Sequence, residues 1–146
     1  MAEVTSHAPG AFSWIELGTT EQNAAKEFYG NLFGWTFVDQ PMGPGEVYTT
    51  FRLRGRDAGA AYTLDPRRHP GVPPHWMPYV ATADADATEA PPHWLANLAA
   101  ADCDATAARA ASLGAKTYVP PTDIPGTGRF AVFADPQGAT FAIYRQ

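Results

Sequence analysis

The sequence predicts an α+β fold built from two matched halves, each running β-α-β-β-β. Three observations carry that reading. A strand-like segment, one amphipathic helix and a series of short strand-like runs follow one another twice along the chain. Each helical segment closes on a glycine, Gly34 and then Gly114. The last two strand-like runs flank Asp135-Pro136-Gln137-Gly138, with Asp, Pro and Gly at the positions a type I turn favours. The 146 residues fit a single domain, 1–146, with a first module over about 11–64 and a second over about 73–146.

Each element has its own local cause. From Phe12 to Leu17 the chain alternates, with Phe12, Trp14 and Glu16 on one face and Ser13, Ile15 and Leu17 on the other. Thr20 is placed to cap a helix, and Glu21 puts a negative charge in its first turn. Ala24, Ala25, Phe28, Tyr29, Leu32 and Phe33 then form one apolar stripe, which Gly34 ends. Strands are expected at Trp35–Val38, Val47–Leu53 and Ala58–Thr63, with a Gly/Pro-rich loop from Gln40 to Gly45. In the second half, Asp104 or Thr106 caps an Ala-rich helix ending at Leu113-Gly114. Lys116–Val119 reads as a strand, Pro120–Gly128 as a loop, and Phe130–Phe133 and Thr140–Tyr144 as a strand pair.

Between the halves lies a tandem duplication. Pro73-Pro74-His75-Trp76 recurs 18 residues on as Pro91-Pro92-His93-Trp94, and the match continues to Asp86/Asp104 and Thr88/Thr106, giving copies 73–90 and 91–108. Two copies are too few for a solenoid, which needs about three or more units. Met77-Pro78-Tyr79-Val80 favours a strand, whereas Leu95-Ala96-Asn97-Leu98 favours a helix that Pro91-Pro92 could open. The first copy is therefore expected to be the opening strand of the second module, and the second copy an inserted, partly helical segment. The competing arrangement makes the second copy the strand, because it adjoins the following helix and a longer linker costs little.

Composition narrows the function. Ten Lys and Arg stand against fifteen Asp and Glu, a formal charge of −5, so no basic stripe exists for nucleic acid. No apolar run approaches the roughly 18 residues of a membrane span. Met1 to His7 lacks the basic-then-apolar pattern of a secretory signal, and a cytoplasmic location is expected. The single Cys103 excludes an internal disulfide and a Cys-based zinc site; a small buried residue is the simpler role.

Three motifs carry a resemblance: Trp14-Ile15-Glu16-Leu17-Gly18-Thr19-Thr20, Ala25-Lys26-Glu27-Phe28-Tyr29-Gly30-Asn31-Leu32-Phe33-Gly34-Trp35, and Ala134-Asp135-Pro136-Gln137-Gly138. Over about residues 11–145, apart from the duplication, the chain resembles the vicinal oxygen chelate superfamily of glyoxalase I, extradiol dioxygenases and bleomycin-resistance proteins. The resemblance is nearest to its glyoxalase-like branch. It implies paired modules forming a curved mixed sheet around a cleft, and a homodimer. Metal enzymes of the family carry His or Glu on the first and last strand of each module. Carried over, those positions fall on Trp14, Gly59, Met77 or Leu95, and Ala142. None of these side chains supplies the donors that Mn, Fe, Ni or Zn need, so no metal and no other cofactor is expected. His75 and His93 lie two residues before Met77 and Leu95 on the same strand face and are read as strand-end residues; His7 and His69 fall in loops.

Alternation then selects a cleft lining. Trp14, Glu16, Tyr48, Thr50, Arg52, Tyr79, Thr140 and Tyr144 are the candidate ligand-binding residues, with Gly59 and Ala142 as small wall positions. Against this stands a plain core role for the aromatic residues, which Glu16 and Arg52 oppose because buried charge is costly unless paired. Glu16 is the single candidate general acid or base; a structural ion pair with Arg52 is its equal alternative. The leading expectation is a metal-independent protein that binds a small aromatic or antibiotic-like molecule. The alternative is a glyoxalase-like lyase or isomerase acting on a small carbonyl compound, with Glu16 in proton transfer. A third is an interaction module whose cleft serves dimerisation.

Overall fold

The computed structural model describes residues 11–80, 95–125 and 128–145. The first half contains β1 (Phe12–Thr19), α1 (Gln22–Phe33), β2 (Thr36–Gly43), β3 (Glu46–Leu53) and β4 (Arg56–Thr63). After β5 (His75–Val80), the second half contains β6 (Asn97–Ala99), α2 (Cys103–Ser112), β7 (Lys116–Ile124), β8 (Gly128–Ala134) and β9 (Thr140–Arg145). Among the described residues the strands make two sheets, ordered β2-β3-β4-β1-β5 and β6-β9-β8-β7. The halves match in topology. Their first and last strands pair in parallel, β1 with β4 and β6 with β9, and every other pairing is antiparallel.

Several boundaries differ from the sequence expectation, each for a physical reason. The segment expected to be a loop at Gln40–Gly45 is strand as far as Gly43, and β7 runs through Pro120 and Pro121. Both proline-bearing strands are sheet edges, where a missing N–H interrupts no ladder on the open side. β7 also bulges between Val119 and Thr122. Helix α1 begins one residue later than expected, with Glu21 at the N-cap position and no side-chain cap; the Glu21 N–H donates to Thr19 Oγ1 instead. Its first residue anchors it to the sheet, because Gln22 Nε2 donates to Thr49 Oγ1 and to the Ala61 carbonyl. Gly34 closes α1 as expected, at φ 69°, with its N–H on the Gly30 carbonyl. Helix α2 is capped by Asp102, not by Asp104 or Thr106, through a 3.0 Å bond from the Ala105 N–H.

The duplicated copies divide one task between them. The first copy contributes β5, which lies antiparallel to β1 with Tyr79 opposite Trp14 and Met77 opposite Glu16. The second copy contributes β6, whose Asn97, Leu98 and Ala99 pair in parallel with Ala142, Ile143 and Tyr144. The expectation for the copies is thereby corrected: the second copy opens the second module, and the first extends the sheet of the first. Backbone pairing with β9 outweighs the helical propensity of Leu95–Leu98, a preference worth only tenths of a kcal/mol per residue. His7, His93 and Trp94 lie outside the described residues.

One apolar cluster joins both halves. Leu17, Phe28, Tyr29, Phe51 and Trp76 from the first sheet and α1 meet Phe133, Phe141, Ile143, Ala107 and Ala110 from the second sheet and α2. Tyr29 stands at the junction, in edge contact with Trp76 and Phe141. Its hydroxyl accepts from Trp76 Nε1 at 2.9 Å and donates to Asp135 Oδ2 at 3.0 Å. Asp135 Oδ1 in turn accepts the N–H groups of Gln137 and Ala139, which fixes the turn before β9. The helix motif and the closing Asp-Pro-Gln-Gly motif are therefore two ends of one buried hydrogen-bond chain. Burial, chiefly, pushes the Tyr29 phenol well above its ordinary value and the Asp135 carboxyl up from its own. Burial thus disfavours the charged form of each group.

Candidate functional site

Strand parity builds the site. In β1, Leu17 is fully buried toward α1 and Ile15 packs against the same core, so Trp14, Glu16 and Gly18 occupy the opposite face. Register supplies their neighbours. Ala60 lies beside Glu16 and Tyr62 beside Gly18 on β4, while Tyr48 of β3 lies across from Tyr62. On the other flank, β5 sets Met77 against Glu16 and Tyr79 against Trp14. A Cβ on Gly18 would sit 3.1 Å from the Tyr62 hydroxyl, so the glycine makes room for that ring. The outcome is a sheet face on which Glu16 stands among Trp14, Tyr48, Tyr62 and Tyr79.

The polar atoms of this face are bonded to one another. Trp14 Nε1 donates to the Tyr48 hydroxyl at 3.1 Å. Tyr48 donates to Glu16 Oε1 at 2.5 Å, and Tyr79 donates to Glu16 Oε2 at 2.7 Å. Burial, and then the hydrogen bond to Glu16, push the Tyr48 phenol up to about 12. Tyr79 is raised further by the same two causes, and Tyr62 is raised by burial and by the Glu16 charge. The face remains open to solvent, since Tyr79 is 39% exposed.

The expected site residues divide between two sheets. Trp14, Glu16, Tyr48 and Tyr79 are joined in one network, and Thr50 shares the face of Tyr48 on β3, two residues along and nearly buried. Arg52 lies at the far end of β3, where its Nε donates to Asp57 Oδ1 at 2.8 Å. The alternative of a Glu16–Arg52 ion pair is therefore not what the structure contains. A bulge between Phe51 and Arg52 brings Arg52 opposite Asp57. Thr140 and Tyr144 belong to β9 of the second sheet, on the face away from buried Phe141 and Ile143. Gly59 is not a wall position: a Cβ there would meet Ile15 Cγ2 at 2.9 Å on the helix side. The small residue beside Glu16 is Ala60. Tyr62 is the residue that sequence reasoning missed. The parity that turned Gly59 inward turned Tyr62 outward.

The donor set does not suit a divalent metal. At the positions that the resemblance assigns to ligands stand Trp14, Gly59 and Ala142, with Leu95 in the copy that opens the second module and Met77 in the other, and both oxygens of Glu16 already accept phenol protons. His75, on the strand end, has Nδ1 2.9 Å from the Pro73 carbonyl. Among the described residues no group of three or more His, Cys, Asp or Glu side chains converges on one point.

Known proteins share this architecture. The family described as Glyoxalase/Bleomycin resistance protein/Dioxygenase superfamily matches residues 11–143. The anthracycline biosynthesis protein DnrV of Streptomyces peucetius is 38% identical over 156 residues, which covers 98% of this chain and 50% of that protein. The chain spans about half the length of the curated relatives it matches. Among solved structures, a member of the same superfamily from Sphaerobacter thermophilus DSM 20745 superposes with a TM-score of 0.62 at 21% identity, covering 90% of this chain and 93% of that one. TnmS3, an antibiotic binding protein from Streptomyces sp. CB03234, superposes with a TM-score of 0.60 at 23% identity over 98% of both chains. No helix among the described residues is long and apolar enough to cross a membrane. With 133 matched residues, two paired β-α-β-β-β halves and a relative 38% identical over 98% of this chain, this chain belongs to the Glyoxalase/Bleomycin resistance protein/Dioxygenase superfamily.

Proposed function

We propose that the protein binds a small, flat aromatic molecule on the face walled by Trp14, Tyr48, Tyr62 and Tyr79, without a metal ion. The observation that carries the reading is the Glu16 network. Two phenols and, through one of them, an indole hold a carboxylate in place on an open aromatic surface. Rings held by hydrogen bonds lose little freedom when a ligand stacks on them, which favours binding. Two relatives support an antibiotic-like ligand. One is named for anthracycline biosynthesis, and TnmS3, an antibiotic binding protein, has the same fold. The homodimer expected from the family resemblance belongs to this reading as well.

A second reading has the same observation behind it. Glu16, held at both oxygens by hydroxyl donors, is positioned to move a proton on a carbonyl substrate, as a lyase or isomerase would require. Calorimetric titration of chelator-treated protein with daunorubicin, an anthracycline, tests the binding proposal. Saturable binding that does not change on adding Zn, Ni or Mn is expected; binding that appears only with metal would overturn it. Turnover of the hemithioacetal of methylglyoxal that is lost in Glu16→Gln, with no saturable daunorubicin binding, would establish the second reading in its place.

A further inference from the structure

The charge balance around Glu16 singles out the kind of ligand. All ten lysines and arginines of the chain fall within the described residues. Among the described residues Lys26 pairs with Asp39, Arg52 with Asp57, Arg68 with Glu46 and Asp65, and Arg129 with Asp104 and Asp123, and none of these pairs includes Glu16. Arg52, two residues beyond Thr50 on β3, is paired with Asp57 at 2.8 Å. Among the described residues the carboxylate thus accepts two phenol hydrogen bonds and forms no ion pair. A carboxylate offers about four lone-pair sites, and the Tyr48 and Tyr79 hydroxyls occupy two. Neutral phenol and indole rings present a negative π-face, which attracts a cation in addition to the carboxylate. The field is felt locally, since the Glu16 charge raises all three neighbouring phenols.

We infer that this face selects a protonated amine carried on a flat aromatic body, with Glu16 pairing the ammonium and the rings of Trp14, Tyr48, Tyr62 and Tyr79 stacking on the rest. The inference rests on the binding function proposed above and adds the charge of the ligand. Neutral and anionic aromatic molecules then bind as the weaker competitors, because they bring the carboxylate no opposite charge.

The test uses two probes of one shape, 9-(aminomethyl)anthracene and 9-(hydroxymethyl)anthracene, titrated by anthracene fluorescence into the full chain at neutral pH and low salt. The amine is expected to bind about tenfold more tightly than the alcohol, the scale of a partly desolvated charge pair with cation–π contact. In Glu16→Gln the preference of amine over alcohol falls to near unity. Tyr79→Phe, which removes one phenol donor and keeps the charge, retains the preference for the amine. Equal affinities in the wild type would overturn the inference and leave the binding reading standing. A preference that survives Glu16→Gln would overturn it too, by placing the cation elsewhere. Binding of neither probe would remove the proposed function and this inference with it. Far-UV circular dichroism of both variants reports that they are folded.

Discussion

Replacing Tyr29 by Phe removes one oxygen from the junction between the two halves. That oxygen has two partners, Trp76 Nε1 at 2.9 Å and Asp135 Oδ2 at 3.0 Å, and Tyr29 itself is fully buried. The substitution leaves a buried indole N–H without an acceptor, worth 1–3 kcal/mol in the usual range, and takes a phenol donor from a buried carboxylate, worth about 1.5–3 kcal/mol. Both losses arise from the same hydroxyl and overlap, giving a destabilisation of about 3 kcal/mol. For a chain of this length the melting temperature should fall by about 6–12 °C. Urea unfolding followed by circular dichroism measures it directly, with an unchanged m-value as the sign that only stability has moved. Acid adds a second signature. Burial holds the Asp135 carboxyl above its ordinary value, so its folded form keeps its proton longer than its unfolded form. Its contribution is full below the unfolded value and fades as pH rises through the folded one. A protonated Asp135 needs the phenol donor less, so the penalty of Tyr29→Phe should shrink on going from pH 7 to pH 4. A loss below about 1 kcal/mol at pH 7, or a penalty that grows in acid, would refute the role assigned to this chain of bonds.

Other expectations follow from the same geometry. Glu16→Gln should lower the Tyr48 titration from about 12 toward 10, read by phenolate absorbance, without reaching it, because burial is the larger cause. Since the folded state holds that phenol proton more tightly than the unfolded one, stability falls as pH climbs from 10 toward 12, and the fall should be smaller in Glu16→Gln. A Tyr48 titration unmoved by the substitution would contradict the hydrogen bond. Deleting residues 81–98 joins Val80 to Ala99 and leaves one copy of the duplication, a single strand with one edge for β1 and the other for β9. The shortened chain should fold with a melting temperature no more than about 4 °C below the parent. Aggregation or loss of near-UV circular dichroism would show that both copies are needed.

How much of this was legible in the sequence depended on parity. In β1 the alternation from Phe12 to Leu17 is unbroken, so Trp14 and Glu16 were placed on the face away from the helix, as the structure has them. In β4, Gly59, Ala60 and Ala61 are all small, and nothing in their size fixes which of them points inward. Choosing Gly59 hid Tyr62, since a shift of one residue exchanges the faces. Prolines misled in two places, because Pro41 and Pro120-Pro121 break a central strand yet are tolerated at edges, and edge position is a tertiary fact. The pairing of Arg52 with Asp57 depended on a bulge between Phe51 and Arg52, which alternation does not foresee. Propensity assigned the duplicated copies wrongly, since the β9 edge decided the conformation of Asn97–Ala99. The link from Tyr29 to Asp135 spans 106 positions in the chain, and both motifs were visible while their bond was not.

For a ligand on the Trp14 and Glu16 face, indole N–H resonances report its position residue by residue. Of the four tryptophans, Trp14 donates its indole N–H to Tyr48 on that face, whereas Trp76 donates to Tyr29 in the core on the other side. A two-dimensional proton–nitrogen spectrum, with Trp14→Phe and Trp76→Phe for assignment, should show the Trp14 resonance moving saturably as 9-(aminomethyl)anthracene is added while the Trp76 resonance stays fixed. A Trp14 resonance that stays fixed while ligand binds, or a Trp76 resonance that moves in its place, would put the ligand away from the Glu16 face.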